Sequence, residues 1–250
     1  METFTNRDGL ELAYQQWGDR GDRPPVVLVH GFIANGDVNW RVPGVVDALV
    51  EAGRFVVAPD ARGHGRSAKP HDPALYGEGA MAGDVRELFD RLGAESYDLA
   101  GYSMGAIVSL LVASEDERVR RLFIGGIGSR VLGGRRPLDL HAVADALEAD
   151  DPSTVEWPGA KAFRAFADQV GGDRLALAAQ ARASHVAGIE VDGIGAPALV
   201  VTGDGDTLAS RADELAAAIP KGEWKGVSGD HLGAVNDPAF TQHLVDFFAA

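Results

Sequence analysis

The chain has 250 residues, 37 of them acidic and 23 basic, for a formal charge of −14. Such a surface repels phosphate backbones and anionic headgroups unless basic residues cluster, and no basic run exceeds the pairs Arg120-Arg121 and Arg135-Arg136. Nucleic acid and membrane surfaces are therefore excluded as expected partners. A hydrophobic content of 46% with 24% charged residues belongs to the globular class, and the length permits one α/β domain with a sizeable core. Cysteine is absent, which removes disulfides, thiolate metal sites and thiol nucleophiles together, so a nucleophile must carry oxygen or nitrogen. The N-terminus has no basic stretch followed by an apolar one, and nowhere do about 18 apolar residues run together, so a soluble cytoplasmic protein is expected.

Two strands are predicted first, Glu2–Thr5 and Glu11–Trp17, with Asp8-Gly9 supplying the hairpin turn between them. From there short apolar runs alternate with longer segments of helical spacing. Strands are predicted at Pro25–Val29, Phe55–Pro59, Tyr97–Ala100, Leu122–Gly125, Ala198–Thr202 and Glu223–Val227. Helices are predicted at Val42–Ala52, Gly79–Leu92, Met104–Ser114, Ala209–Ala218 and Pro238–Phe248. This rhythm predicts an α/β fold, a mostly parallel sheet of about eight strands with helices on both faces.

One stretch breaks the alternation. Between Ser129 and Gly195 no strand-like run occurs, and three Ala-rich helical patterns, Leu138–Ala149, Gly159–Val170 and Asp173–Val186, are separated by Asp150-Asp151-Pro152 and Gly171-Gly172. The expected organisation is a core of residues 1–128 and 196–250, interrupted by a helical insertion, residues 129–195, that packs over the sheet.

Gly101-Tyr102-Ser103-Met104-Gly105 is the leading candidate for chemistry. In a chain with 32 glycines the spacing alone is weak, but here it follows a predicted strand and opens an apolar helix. That setting turns the backbone sharply and leaves the Ser103 hydroxyl standing at the carboxyl edge of the sheet. A serine hydroxyl is a poor nucleophile at neutral pH and needs a base within hydrogen-bond reach. Of the seven histidines, His141 and His185 fall in the insertion, His71 in a Pro-rich loop and His243 in the last helix. His30 and His64 sit beside turn glycines. His231, in a loop after the last predicted strand, is left as the base.

The third member is a carboxylate that fixes the imidazole tautomer, and in the chain order serine, acid, histidine it should follow a strand end. The run Gly203-Asp204-Gly205-Asp206 offers two. Asp206 is favoured, because Asp204 adjoins the turn glycine and is placed to bond the turn's own backbone.

With these residues in view, the sequence resembles the α/β-hydrolase superfamily. The resemblance is carried by His30-Gly31-Phe32, by Asp60-Ala61-Arg62-Gly63-His64-Gly65-Arg66-Ser67, by the turn at Ser103, by Gly203-Asp204-Gly205-Asp206 and by Gly229-Asp230-His231. It implies an α/β-hydrolase fold with Ser103 as nucleophile, Asp206 as acid and His231 as base. It also implies that the backbone amides of Phe32 and Met104 form an oxyanion hole, and that the insertion is a short helical cap. Two departures are noted: Ile33 and Ala34 follow Phe32 where many relatives have proline, and Thr-Leu-Ala-Ser follows Asp206 in place of the usual Val-Pro.

The implied reaction is acyl transfer to water on a small or medium hydrophobic carboxylic ester, without metal or organic cofactor. Haloalkane dehalogenases and epoxide hydrolases of the superfamily form an alkyl ester on an aspartate at the elbow, which Ser103 cannot do. The first departure also argues against cofactor-free haloperoxidase chemistry. That reaction, carbon–carbon bond hydrolysis, lactone opening, or a non-catalytic binding protein on the same fold are the alternatives. Gly31, Phe32, Trp40 and Trp157 are the candidate substrate-binding residues, with Met104, Phe163 and Phe166 nearby at the expected mouth and cap. Oligomeric state is not readable from the sequence.

Overall fold

The computed structural model describes residues 1–133, 138–184 and 187–249. Arg135-Arg136, and His185 and Val186 at the end of the third predicted insertion helix, lie outside the described residues. The strands are β1 (Glu2–Thr5), β2 (Glu11–Trp17), β3 (Val26–Val29), β4 (Val56–Pro59), β5 (Tyr97–Tyr102), β6 (Val119–Gly125), β7 (Ala198–Gly203) and β8 (Gly222–Val227). The helices are α1 (Val45–Glu51), α2 (Glu78–Leu92), α3 (Met104–Glu115), α4 (Leu140–Glu148), α5 (Pro158–Val170), α6 (Arg174–Arg182), α7 (Ala212–Ala218) and α8 (Pro238–Ala249). Among the described residues, no helix is long and apolar enough to cross a membrane.

All eight strands form one sheet in the order β1-β2-β4-β3-β5-β6-β7-β8. The β1–β2 and β2–β4 pairings are antiparallel, and every other pairing is parallel. Buried on both faces, the parallel strands are continuously apolar, and the period of two decides which face each residue serves. Val27, Val29, Val57, Leu99, Ile124 and Val200 join α2, α3 and α7 in one cluster. Their neighbours Val26, Leu28, Val56, Ala100, Phe123 and Val201 join α1 and α8 in the other.

Several element ends differ from the sequence expectation. Strand β6 begins at Val119, three residues early, because Arg120 reaches an acceptor: its guanidinium bonds the Asp98 carboxylate at 2.6 Å. Strand β5 runs on to Tyr102, paired with Gly125. The helix expected from Val42 starts at Val45, preceded by Gly44 at φ 87° and a separate turn over Asp37–Arg41. The helix expected from Ala209 starts at Ala212, after Arg211 at φ 60°. The third insertion helix closes at Arg182.

Helices α4, α5 and α6 lie between β6 and β7 in the chain and pack on one another around Val143, Leu147, Ala160, Ala167 and Leu177. That small cluster includes Ile33 and is flanked by Phe32, so the three helices sit over the loop that follows β3. Strand β3 lies between β4 and β5, so the chain leaves it toward one neighbour and later returns on its other side. The crevice outside the carboxyl ends of β3 and β5 is the topological switch point where open α/β sheets hold ligands.

Candidate active site

Ser103 occupies the switch point. It joins β5 to α3 with φ 53° and ψ −113°, a strained backbone for a residue with a Cβ. Its amide is held by the Gly125 carbonyl at 2.9 Å. The two flanking glycines are required by space. A Cβ at Gly101 would collide with the Gly105 carbonyl, and one at Gly105 with the carbonyls of Val29 and His30. The turn thus packs directly on the end of β3, which gives the Gly-x-Ser-x-Gly spacing its physical reason.

The structure brings the three candidate side chains together. His231 Nε2 lies 2.9 Å from Ser103 Oγ, and His231 Nδ1 lies 2.8 Å from Asp206 Oδ2. The Asp206 carboxyl is fully shielded from solvent and the imidazole is 17% exposed. An acceptor-only carboxylate facing Nδ1 fixes the proton there, so Nε2 is left to accept the Ser103 hydroxyl proton. The second oxygen of Asp206 accepts the amides of Leu208 and Ala209 at 2.9 and 3.1 Å, which locks its rotamer. Asp204 is exposed and takes a different role: its Oδ1 accepts the Gly229 amide at 3.1 Å.

The remaining described histidines are committed elsewhere. The His30 ring is buried; its Nε2 accepts the Ala61 amide at 2.9 Å, so Nδ1 carries the proton and donates to the Gly31 carbonyl at 2.8 Å. Burial holds its pKa below the usual histidine range against the pull of Asp60. His64 is lowered to about 3, first by burial and then by the His30 ring at 5.1 Å. His71 pairs with Asp173, His141 is exposed on α4, and His243 is on α8.

The loop after β3 is fastened beside Ser103 by groups that sequence reasoning missed. The Asn39 side chain accepts the Gly31 amide at 2.8 Å. Asp60 accepts the Gly36 amide with one oxygen and the Arg66 amide with the other. Tyr102 donates its hydroxyl to the His231 carbonyl at 2.7 Å, and burial pushes its pKa up. No local motif marks Asn39 or Tyr102, because each acts on a residue whose nearness arises only in the folded chain. At Gly31 a Cβ would sit 3.4 Å from that of Ser103, so the Gly31-Phe32 peptide borders the hydroxyl. The amides of Phe32 and Met104, the latter at the first turn of α3, donate to no other described group.

Two cavities open on Ser103 and His231. One is lined by Met104, Ile107, Ile127, Val131, Leu140 and Ile189. The other is lined by Gly31, Ala34, Tyr102, Phe166, Leu232 and Val235. Phe32 and Phe163 line both. Gly31 and Phe32 therefore sit where substrate contacts were expected, but the two tryptophans do not. Trp40 is fully buried in the core beneath the sheet, edge-on to Tyr102 with ring centroids 6.5 Å apart, and lines neither cavity. An apolar side chain near a predicted mouth and one that fills the core read alike in sequence, and here core packing prevails. Trp157, at the start of α5, is 40% exposed and also lines neither cavity; its ring lies against Gly159.

A mostly parallel eight-stranded sheet carrying a serine on the strained turn after β5 is the architecture of one enzyme class, and residues 24–171 match the family model for the alpha/beta hydrolase fold. The chain belongs to that family. Over 105 residues it is 37% identical to the non-heme chloroperoxidase CPO-A1 of Kitasatospora aureofaciens, which covers 42% of this chain and 35% of that protein. Over 107 residues it is 35% identical to epoxide hydrolase A of Mycobacterium tuberculosis, covering 43% and 32%. These matches span about a third of the length of the curated relatives. Among solved structures, a hydrolase from Pseudomonas aeruginosa is 26% identical with a TM-score of 0.80, over 100% of this chain and 98% of that one. The enol-lactonase of Burkholderia xenovorans is 29% identical with a TM-score of 0.77, over 100% of both chains.

Proposed function

We propose that this protein is a serine hydrolase that cleaves carboxylic esters of small to medium hydrophobic acyl groups through an acyl-enzyme on Ser103. The observation that carries the reading is the continuous relay Ser103 Oγ to His231 Nε2 to Asp206, built at a strained turn and open to two largely apolar cavities. His231 takes the hydroxyl proton as Ser103 Oγ bonds to the ester carbonyl carbon. The electron pair moves to the carbonyl oxygen, where the Phe32 and Met104 amides receive it. Collapse of that intermediate breaks the bond to the alcohol oxygen, which leaves with the proton from His231. Water then attacks the acyl-enzyme by the same steps, returning the acid and free Ser103. Helices α4 to α6 act as the cap: they bring Phe163, Phe166 and Leu140 over the serine and exclude bulk water.

Epoxide opening of the superfamily kind requires a carboxylate nucleophile, and Ser103 occupies that place. Lactone opening is the second reading, favoured by the full-length likeness to an enol-lactonase; it uses the same steps with the alcohol tethered to the acyl group.

The test is intact-mass analysis after treatment with a fluorophosphonate, beside turnover of p-nitrophenyl esters, lactones and dienoic diketones. One covalent adduct, absent in Ser103→Ala, with turnover of the esters is the expected result. An unlabelled folded protein would return the reading to a binding protein, and labelling with complete inertness to esters would shift it to another hydrolytic reaction.

A further inference from the structure

The sheet ends at β8, which pairs with β7 alone. Its outer edge is open: Glu223, Trp224, Lys225 and Gly226 are exposed in succession, Trp224 at 48%. The pairing with β7 fixes which backbone groups that edge presents. Ala198 donates its amide to the Lys221 carbonyl and Asp204 to the Val227 carbonyl, so the odd-numbered residues of β8 turn their N–H and C=O groups toward β7. Gly222, Trp224 and Gly226 turn theirs outward, and a row of such groups on an exposed edge is a template for another strand. The row has defined ends. Pro220 has no N–H, the Gly222 amide donates to the Ile219 carbonyl, and the Ser228 amide donates to Asp237. The side chains follow the period of two. Val227 belongs to the cluster that includes α8, so Glu223 and Lys225 stand on that face; Trp224 stands on the other, its Nε1 donating to Thr202 Oγ1 at 3.0 Å. Among the described residues, neither Glu223 nor Lys225 forms an ion pair.

We propose that β8 is the seam of a homodimer, in which two copies pair antiparallel about a two-fold axis through Trp224. The occupant of the edge is a second copy because the edge is complementary to itself. With Trp224 opposite Trp224 of the second copy, Glu223 falls opposite Lys225 and Lys225 opposite Glu223. These are non-hydrogen-bonded positions, where opposed side chains come closest, so an ion pair forms on each side of the axis. The same register suits the backbone: the two Trp224 residues exchange N–H···O=C bonds, and each Gly226 amide meets a Gly222 carbonyl. Neighbouring registers do not. An axis through Glu223 or Lys225 opposes like charges, and one through Gly222 sets Trp224 against Pro220, which has no amide to donate. The seam is three strands from β5, so the cavities at Ser103 stay open. The inference is independent of the hydrolase reading.

The experiment is sedimentation equilibrium of the full chain from about 1 to 100 µM, the range in which a seam at the small end of interface sizes associates. Wild type should pass from one chain to two across this range, and about 1 M sodium chloride should weaken the association several-fold by screening the charge pairs. Glu223→Lys and Lys225→Glu each place like charges across the axis, so each variant alone should remain a single chain at the highest concentration. Mixed in equal amounts they should associate as pairs, since each then supplies the charge that the other lacks. Far-ultraviolet circular dichroism checks that both variants are folded, and association on mixing itself requires it. A wild type that stays a single chain throughout overturns the proposal. So does a dimer that persists undiminished in both single variants, which would place the interface elsewhere, and so does a mixture of the folded variants that fails to associate.

Discussion

Tyr102 and His231 are 129 residues apart in sequence, yet the Tyr102 hydroxyl donates to the His231 main-chain carbonyl at 2.7 Å. The residue immediately before the candidate nucleophile thereby holds the loop that carries the candidate base. Their rings also face each other with centroids 5.7 Å apart, so both the backbone and the imidazole plane are set from the same side chain. Tyr102→Phe keeps the ring packing and removes the hydrogen bond. It should cost about 1 kcal/mol in urea unfolding and slow fluorophosphonate labelling by roughly 10-fold through a less well placed imidazole. A labelling rate equal to wild type would show that the loop is held by other contacts.

Asp206 and Asp204 give a contrast within three residues. Asp206→Asn should lower ester turnover by about 10⁴-fold, because the amide can present a donor to His231 Nδ1 and select the wrong tautomer. Asp204→Asn retains an oxygen for the Gly229 amide and should change turnover by only a few-fold. Steady-state kinetics of both variants decides the matter, and the reverse order would assign the acid to Asp204.

Gly105→Ala tests the steric basis of the turn. The added methyl meets the Val29 and His30 carbonyls, backbone atoms that cannot swing aside. A loss of about 3 kcal/mol or more in chemical denaturation is expected, with failure to label. Unchanged stability would mean that the α3 start can move away from β3.

Two buried neutral histidines make stability depend on pH. In the unfolded chain each has an ordinary pKa near 6.5. In the folded chain His30 is lowered and His64 falls to about 3, in both cases chiefly by burial. The unfolded state therefore binds more protons below about pH 6.5, and stability rises with pH through this window. It is fully present above that value and is lost as pH falls toward the folded pKa. Between pH 6.5 and 5 His64 should cost up to about 2 kcal/mol, and His30 adds to the loss in the same direction. Urea titrations across this range should show that slope, and His64→Asn should flatten it; a slope unaltered by the variant would place the acid sensitivity elsewhere.

Arg54 is buried at the far end of the sheet and bonds Asp98 together with the carbonyls of Pro24 and Phe248. Arg54→Met should destabilise by about 3 kcal/mol, the lower part of the range for breaking a buried pair, because Arg120 still reaches Asp98. The readout is the denaturation midpoint, and ester turnover at neutral pH should persist, since the site lies at the opposite strand ends.

Much of the fold was legible because it is written in local patterns. The strands β1 and β2 have the predicted ends, and the period of two in Val26–Val29 and Leu199–Val201 sorts side chains between two helical layers. Ser103 was legible because a strand, a sharp turn and an apolar helix occur in sequence. The start of β6 was not, since Arg120 and Arg121 look polar until Asp98 is placed beside one of them. Trp40 was misplaced for a related reason: nothing local distinguishes a tryptophan under the sheet from one at the mouth.

What the sequence determined by itself is the order of elements and the candidates for the reacting groups, because backbone periodicity and side-chain chemistry are properties of short stretches. Only the tertiary structure decided that Asp206 and not Asp204 meets His231, that Asn39 and Tyr102 fasten the site, and that Glu78 and Gln180 share a cavity wall. Those relationships join residues 8 to 129 positions apart, and a contact at that separation exists only when the sheet has set the register of its strands.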